Sequence, residues 1–343
     1  MKKILSFALI LVLVGGLLAG CGAGTEEESF SVGLITDVGG IDDKSFNQST
    51  WEGIQRFEED YDGVTTKYLQ SDSDADYIPN LSTFSDEGLD LIIAPGFLFE
   101  EAMAEVSGNF AEQNYLIIDT VVPERDNVAS AVFAEHQGSF LVGVAAALKA
   151  EAEGQDTVGF IGGMDFDLIQ KFEAGFEAGV YAVNPDMNVL IEYAGNFADT
   201  QIGQTLAAKM YDQGAYIIYH AAGGTGNGLI KEAKDRRTNG EDVWAIGVDK
   251  DQYEDGIYEG DQSAILTSMM KRVDVAAYDV AERAMNDDFP GGEVLVYNLA
   301  NNGVGLPDEN PNLSDDIVSS VAEYKTMVVD GEIEVPELPT RLQ

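Results

Sequence analysis

The stretch Thr36-Asp37-Val38-Gly39-Gly40-Ile41-Asp42-Asp43-Lys44-Ser45-Phe46-Asn47-Gln48 gathers the residue types of a small-molecule site. An apolar run at 30–35 leads into it as a predicted strand, and an amphipathic pattern from about 47 leads out as a helix. Open α/β sheets bind ligands at the carboxyl ends of their strands. Here two glycines let backbone approach a ligand, Asp37 and Asn47 can hydrogen-bond, and Phe46 can stack. Other predicted strand ends carry Asp119, Gly223 and Asp249, and Lys271 follows a late strand. Phe197 comes after another strand in polar company. A lone strand-end Asp ordinarily caps a helix. Several around one predicted cleft, with a lysine and two aromatic rings, read as a binding set. Asp42, Asp43 and Lys44 read as residues that shape the turn and cap the helix.

The inventory speaks against catalysis. Cys21 is the only cysteine, and the histidines are His136 and His220. No Gly-x-Ser-x-Gly elbow and no His-Glu-x-x-His pair occurs. His220 ends an apolar strand and reads as structural. The run Gly223-Gly224-Thr225-Gly226-Asn227-Gly228 lacks the Gly-Lys-Ser/Thr ending of a phosphate loop. It leaves open a close backbone approach to an uncharged ligand or a merely tight turn. Asp72, Asp74 and Asp76 have the first EF-hand spacings, but Tyr77 and Thr83 replace the required glycine and glutamate. The run from Asp249 and Asp251 places Glu254 where glycine is needed and ends on Gly260. Both fail the calcium-loop pattern and read as solvated acidic turns. The expectation is a binding protein with no metal and no cofactor.

Strand-like and helix-like segments alternate along the chain, which implies parallel sheets covered on both faces. About ten strands exceed one comfortable sheet. The expected class is therefore α/β, with two doubly wound parallel-sheet lobes joined by a hinge. The expected first lobe is 30–134 plus about 268–290. The second is 135–267 plus about 291–343, with a hairpin at 294–299 and 304–306 around Asn301-Asn302-Gly303. A ligand between lobes of this kind would close them.

Residues 1–20 read as a leader, with Lys2 and Lys3 before an apolar run too short for a comfortable membrane span. Leu18-Ala19-Gly20-Cys21 is similar to the lipobox of prokaryotic lipoproteins, so Cys21 is read as a lipid anchor and 21–29 as a tether. That would place the protein on the extracytoplasmic face of the cell membrane. The 343 residues carry 61 acidic and 19 basic side chains, a net charge of −42. Nucleic acid is an unsuitable partner for such a surface. Hydrophobic content of 45% argues for a folded chain, and the acidity is read as that of a protein working in high salt, with an acidic but non-halophilic surface as the alternative.

These residues resemble the Bmp/PnrA family, the basic membrane protein-type lipoproteins that serve ABC importers as purine nucleoside receptors. The resemblance is carried by 36–48 and by Gly162-Gly163-Met164 with Phe172-Glu173-Ala174-Gly175-Phe176. Gly195-Asn196-Phe197-Ala198-Asp199, Ala221-Ala222-Gly223-Gly224-Thr225-Gly226, Gly247-Val248-Asp249 and Thr267-Ser268-Met269-Met270-Lys271 extend it. It implies a type I periplasmic-binding-protein fold and a nucleoside as ligand, delivered to an ABC permease. It further implies a base held between Phe46 and Phe197, recognised at its edge by Asp119. The ribose would be held by Asp249 and Lys271, with Asp37, Asn47 and Gly223 completing the shell. Buried carboxylates accept well from sugar hydroxyls and repel a phosphate. Alternatives are the same fold binding a sugar or other small polar ligand, a ligand sensor, and a nucleoside hydrolase.

Overall fold

The computed structural model describes residues 29–343; the leader, Cys21 and nearly all of the tether lie outside them. The strands are β1 (Phe30–Thr36), β2 (Val64–Gln70), β3 (Leu91–Pro95), β4 (Asn114–Ile118), β5 (Val128–Phe133), β6 (Thr157–Gly162) and β7 (Asn188–Tyr193). They continue with β8 (Ile217–Ala221), β9 (Trp244–Asp249), β10 (Ile257–Glu259), β11 (Gln262–Ser263), β12 (Ile265–Lys271), β13 (Val294–Tyr297) and β14 (Val304–Gly305). The α-helices are α1 (Phe46–Asp60), α2 (Tyr77–Glu87), α3 (Glu100–Asn109), α4 (Glu135–Ala152) and α5 (Asp167–Val183). After them come α6 (Thr200–Asp212), α7 (Gly226–Thr238), α8 (Val273–Met285) and α9 (Asp315–Val329).

Two six-stranded sheets result, in the orders β13-β5-β4-β3-β1-β2 and β14-β12-β9-β8-β6-β7. The first is parallel throughout, and the second is parallel except at β14. Central strands are apolar on both faces, as helix-covered parallel sheets require. In β3, Leu91 and Ile93 enter one core while Ile92 and Ala94 enter the core on the opposite face. In the second lobe, α4 and α5 approach closely because glycine sits at their crossing. A Cβ at Gly179 would lie 2.0 Å from the Phe140 carbonyl oxygen.

The chain crosses between the lobes at Ala134, at Arg272 and through 298–303. The crossings are laced together: Ala134 N–H donates to Tyr297 O (2.8 Å), and Arg272 N–H donates to Gly303 O (2.9 Å). Several contacts join the lobes away from the crossings. Asn227 Nδ2 donates to Asp43 O, Gln252 Nε2 donates to Lys44 O (both 2.9 Å), and Lys250 pairs with Glu52 at 2.6 Å. The two lobes are thus closed on one another.

The C-terminal expectations need correction. The predicted hairpin does not form: β13 joins the first sheet beside β5, and β14 joins the second beside β12. The Asn301-Asn302-Gly303 turn is a lobe crossing, with Asn302 in the left-handed region (φ 58°). Residues 294–297 therefore belong to the first lobe, not the second. Residues 268–271 complete β12 and belong to the second lobe, not the first. Helices α2 and α3 also lie where no helical pattern is read from the sequence.

Candidate functional site

The eight residues singled out in the sequence lie on the wall of one cleft between the lobes, with an empty volume of about 620 Å³. The first lobe supplies Asp37, Phe46, Asn47 and Asp119. The second supplies Phe197, Gly223, Asp249 and Lys271. Each sits just after or at the end of a strand, or at the start of the helix that follows. A concave, mostly apolar wall with a few convergent polar groups suits a small organic ligand.

On the first-lobe wall the turn after β1 is built around carboxylates. Asp37 Oδ1 accepts from Gly39 N–H and from Asn47 Nδ2, both at 2.8 Å. Asp43 accepts from the backbone N–H groups of Ser45 (2.9 Å), Asn47 (2.9 Å) and Gln48 (3.0 Å). It therefore caps α1, where an anion also meets the positive end of the helix dipole. Asn47 Nδ2 also donates to Asp43 (3.0 Å), while Asn47 Oδ1 is buried without a hydrogen-bond partner. Burial pushes the Asp37 carboxyl up to about 6, and its two hydrogen bonds only partly offset that.

The second-lobe wall centres on Lys271, which is 1% exposed. Its Nζ lies 2.6 Å from Asp119 Oδ1 and 3.1 Å from Glu135 Oε1. The rings of Phe46, Phe133 and Phe172 surround it at 5.1, 5.1 and 5.4 Å. Burial alone would lower the ammonium's pKa, but Asp119, Glu135 and Asp249 around it raise it above the ordinary lysine value. Asp249 accepts from Ser45 Oγ of the first lobe. Burial raises its carboxyl to about 7 against the lowering pull of Lys271. Burial likewise raises Asp119, again opposed by Lys271. Asp119 (φ 76°) and Asp249 (φ 69°) both adopt left-handed backbone, a conformation aspartate tolerates better than most residues. Strain of this sort clusters at functional sites, and here it sits on two strand-end carboxylates facing the cleft.

Phe197 is seated by glycine. A Cβ at Gly163 would fall 2.1 Å from its ring. The Gly223–Thr225 turn grips the same loop: Thr225 N–H donates to Phe197 O (3.0 Å), and Thr225 Oγ1 donates to Asn196 O (3.0 Å). The glycine run is therefore a close-packing turn beside the cleft.

Sequence reasoning missed several wall residues, among them Phe97, Leu168, Ile169 and Phe172. Phe97 meets Phe166 of the other lobe at 5.4 Å and Phe197 at 6.4 Å between ring centroids. A clue was present in Gly96, whose φ of 118° turns the chain out of β3. His220 is fully buried with Nε2 3.1 Å from Gln252 Oε1, and burial lowers its pKa to about 4. It stays neutral below the cleft wall. Asp76 accepts from the N–H groups of Asp72 and Ser73 and so closes an ordinary acidic turn. Among the described residues no cluster could hold a metal ion, and no helix is long and apolar enough to cross a membrane.

The family of substrate-binding proteins described as ABC transporter substrate-binding protein PnrA-like matches residues 30–339. This chain belongs to the Bmp family. As a Bmp protein it is a substrate-binding component of an ABC transporter rather than an enzyme, and it works with a small-molecule ligand and a transporter partner. It is 42% identical to a Listeria monocytogenes protein named CD4+ T-cell-stimulating antigen, over 98% of this chain and 99% of that one. It is 36% identical, over the same shares, to the ABC transporter nucleoside-binding protein BmpA of Lactococcus lactis subsp. cremoris. A solved ABC transporter solute-binding protein from Aeropyrum pernix K1 superposes with a TM-score of 0.80 at 30% identity. That match covers 90% of this chain and 94% of the other. The two-lobed type I periplasmic-binding-protein fold is thereby shown.

Proposed function

We propose that this Bmp protein captures a nucleoside, with a purine as its base, between its lobes and delivers it to an ABC permease. The observation that carries the reading is the pairing of wall chemistries. Phe46 and Phe197 line the cleft from opposite lobes, while Asp37, Asn47, Asp119, Asp249 and Lys271 line the rest with polar groups. A flat heterocycle joined to a polyhydroxylated ring matches both. In this assignment the base lies between the two phenylalanines with Asp119 at its edge. Asp249 and Lys271 take the ribose hydroxyls, and Asp37, Asn47 and Gly223 complete the shell. Asp37, Asp43, Asp119 and Asp249 outnumber Lys271 on the wall, which disfavours a phosphorylated ligand. The nucleoside-binding name of the Lactococcus relative supports the same class. The lipobox-like Leu18-Ala19-Gly20-Cys21 supports lipid anchoring through Cys21 at the outer face of the membrane.

Equilibrium dialysis with labelled inosine, competed by ribose, tests the assignment. Phe46→Ala and Phe197→Ala should each weaken inosine binding about 10-fold, as loss of aromatic stacking plus burial implies, and leave any ribose binding unchanged. Ribose competing as well as inosine would replace the nucleoside by a sugar.

A further inference from the structure

The pair Glu135 and Lys271 joins two lobe crossings. Lys271 is the last residue of β12, next to the crossing at Arg272. Glu135 is the first residue of α4, next to the crossing at Ala134. Both belong to the second lobe, where α4 packs on β12, and both side chains are 1% exposed. Asp119, the other acid on the ammonium, belongs to the first lobe. When the lobes part, Asp119 therefore moves away from Lys271 while Glu135 stays. No side chain other than Lys271 partners the Glu135 carboxylate, and Lys271 Nζ is the one cation in ion-pair contact with it among the described residues. A carboxylate so buried is costly unless it is paired, and its one charged partner is Nζ.

We infer that Glu135 is a positioning residue: it keeps the Lys271 ammonium charged and aimed at the cleft while the lobes are open, so that the site is ready before ligand arrives. The groups around Nζ are Asp119 after β4, Glu135 on α4 and Asp249 on β9, with the rings of Phe46, Phe133 and Phe172. In the open form the three rings supply no countercharge, and Glu135 is the nearest acid that travels with the lysine. Preorganising a charged group in this way lowers the cost of binding rather than adding a ligand contact. Burial raises the Glu135 carboxyl, so its charge, and with it the effect, grows as pH rises.

The inference uses the nucleoside reading only to choose a probe. In Glu135→Gln the affinity for inosine should match wild type within about 2-fold near pH 5.5 and fall about 10-fold or more below it near pH 9. Glu135→Asp, which keeps the charge, should recover most of the loss. A purely structural role would give a ratio independent of pH. The ligand-free readout is the Cε resonance of Lys271 in protein labelled at lysine, assigned by its loss in Lys271→Arg. Its titration midpoint should drop in Glu135→Gln and return in Glu135→Asp. Unchanged midpoints, or a pH-independent affinity ratio, would overturn the inference. If wild type binds no nucleoside, the ligand reading fails while the resonance still decides the role of Glu135. Should Glu135→Gln fail to fold, Glu135→Asp and the wild-type resonance carry the test. A wild-type Lys271 midpoint at or below that of free lysine would then count against it.

Discussion

Ser45 Oγ of the first lobe donates a hydrogen bond to Asp249 Oδ2 of the second, and both groups are buried. Ser45 stands at the entry to α1 and Asp249 at the end of β9, so the bond forms only when the lobes are together. Asp249 is also a wall residue of the cleft. One carboxylate thus faces the ligand space and the opposite lobe at once. A hydrogen bond of this kind contributes about 0.5–1.5 kcal/mol to a neutral carboxyl and about 1.5–3 kcal/mol once the carboxyl is charged. Ser45→Ala should therefore weaken nucleoside binding about 10-fold or more, mainly by faster dissociation. Stopped-flow release of a bound nucleoside measures this. An unchanged dissociation rate would show that the bond contributes nothing to closure.

The buried acids set a pH dependence of stability whose sign follows from proton counting. Burial raises the Asp249 carboxyl in the folded chain to about 7, against an ordinary 3.8. Between those values the folded chain holds a proton that the unfolded chain has lost, so this group's contribution to stability falls as pH rises through the window. His220 acts oppositely, because its folded pKa of about 4 lies below the usual 6.5. Comparing Asp249→Asn with wild type cancels His220. The ligand-free variant should match wild-type Tm near pH 4, gain steadily to about pH 7 and then level off, while losing nucleoside affinity. Thermal melts at a series of pH values check this, and a gain that shrinks with rising pH would contradict it.

The surface predicts a salt dependence. With 61 acidic and 19 basic residues, self-repulsion opposes folding at low ionic strength. Near 1 M salt the Debye length falls to about 3 Å, and most of that repulsion is screened. Tm should rise by several degrees between low and molar sodium chloride. A flat or falling Tm would mean that the acidity is not a high-salt adaptation.

The lobes and the cleft wall were legible because the physics that places them is local. Parallel strands buried on both faces write themselves as apolar runs, and polar residues of the cleft wall gather where those runs stop, as at Asp37, Asp119 and Asp249. Less local features were hidden. Ser45 carries no signal of its own in the sequence, because its partner Asp249 is 204 positions away. Glu135 was not singled out in the sequence, yet it is buried against Lys271. Helices α2 and α3 were legible but unread: Tyr77, Leu81 and Phe84 in α2, and Met103 and Val106 in α3, stand at helical spacing and are buried. The Asn301-Asn302-Gly303 signal marked a true turn, but nothing local reveals that the strands beside it belong to different sheets.

The binding claim meets its most direct test in isothermal calorimetry of protein stripped of carried-over ligand, titrated with adenosine, guanosine, inosine, uridine and ribose. The expected result is a one-site isotherm of micromolar or tighter affinity for at least one purine nucleoside, absent for ribose and abolished in Asp249→Ala. No heat with any nucleoside, from protein shown by its melting transition to be folded, would contradict nucleoside capture by this cleft.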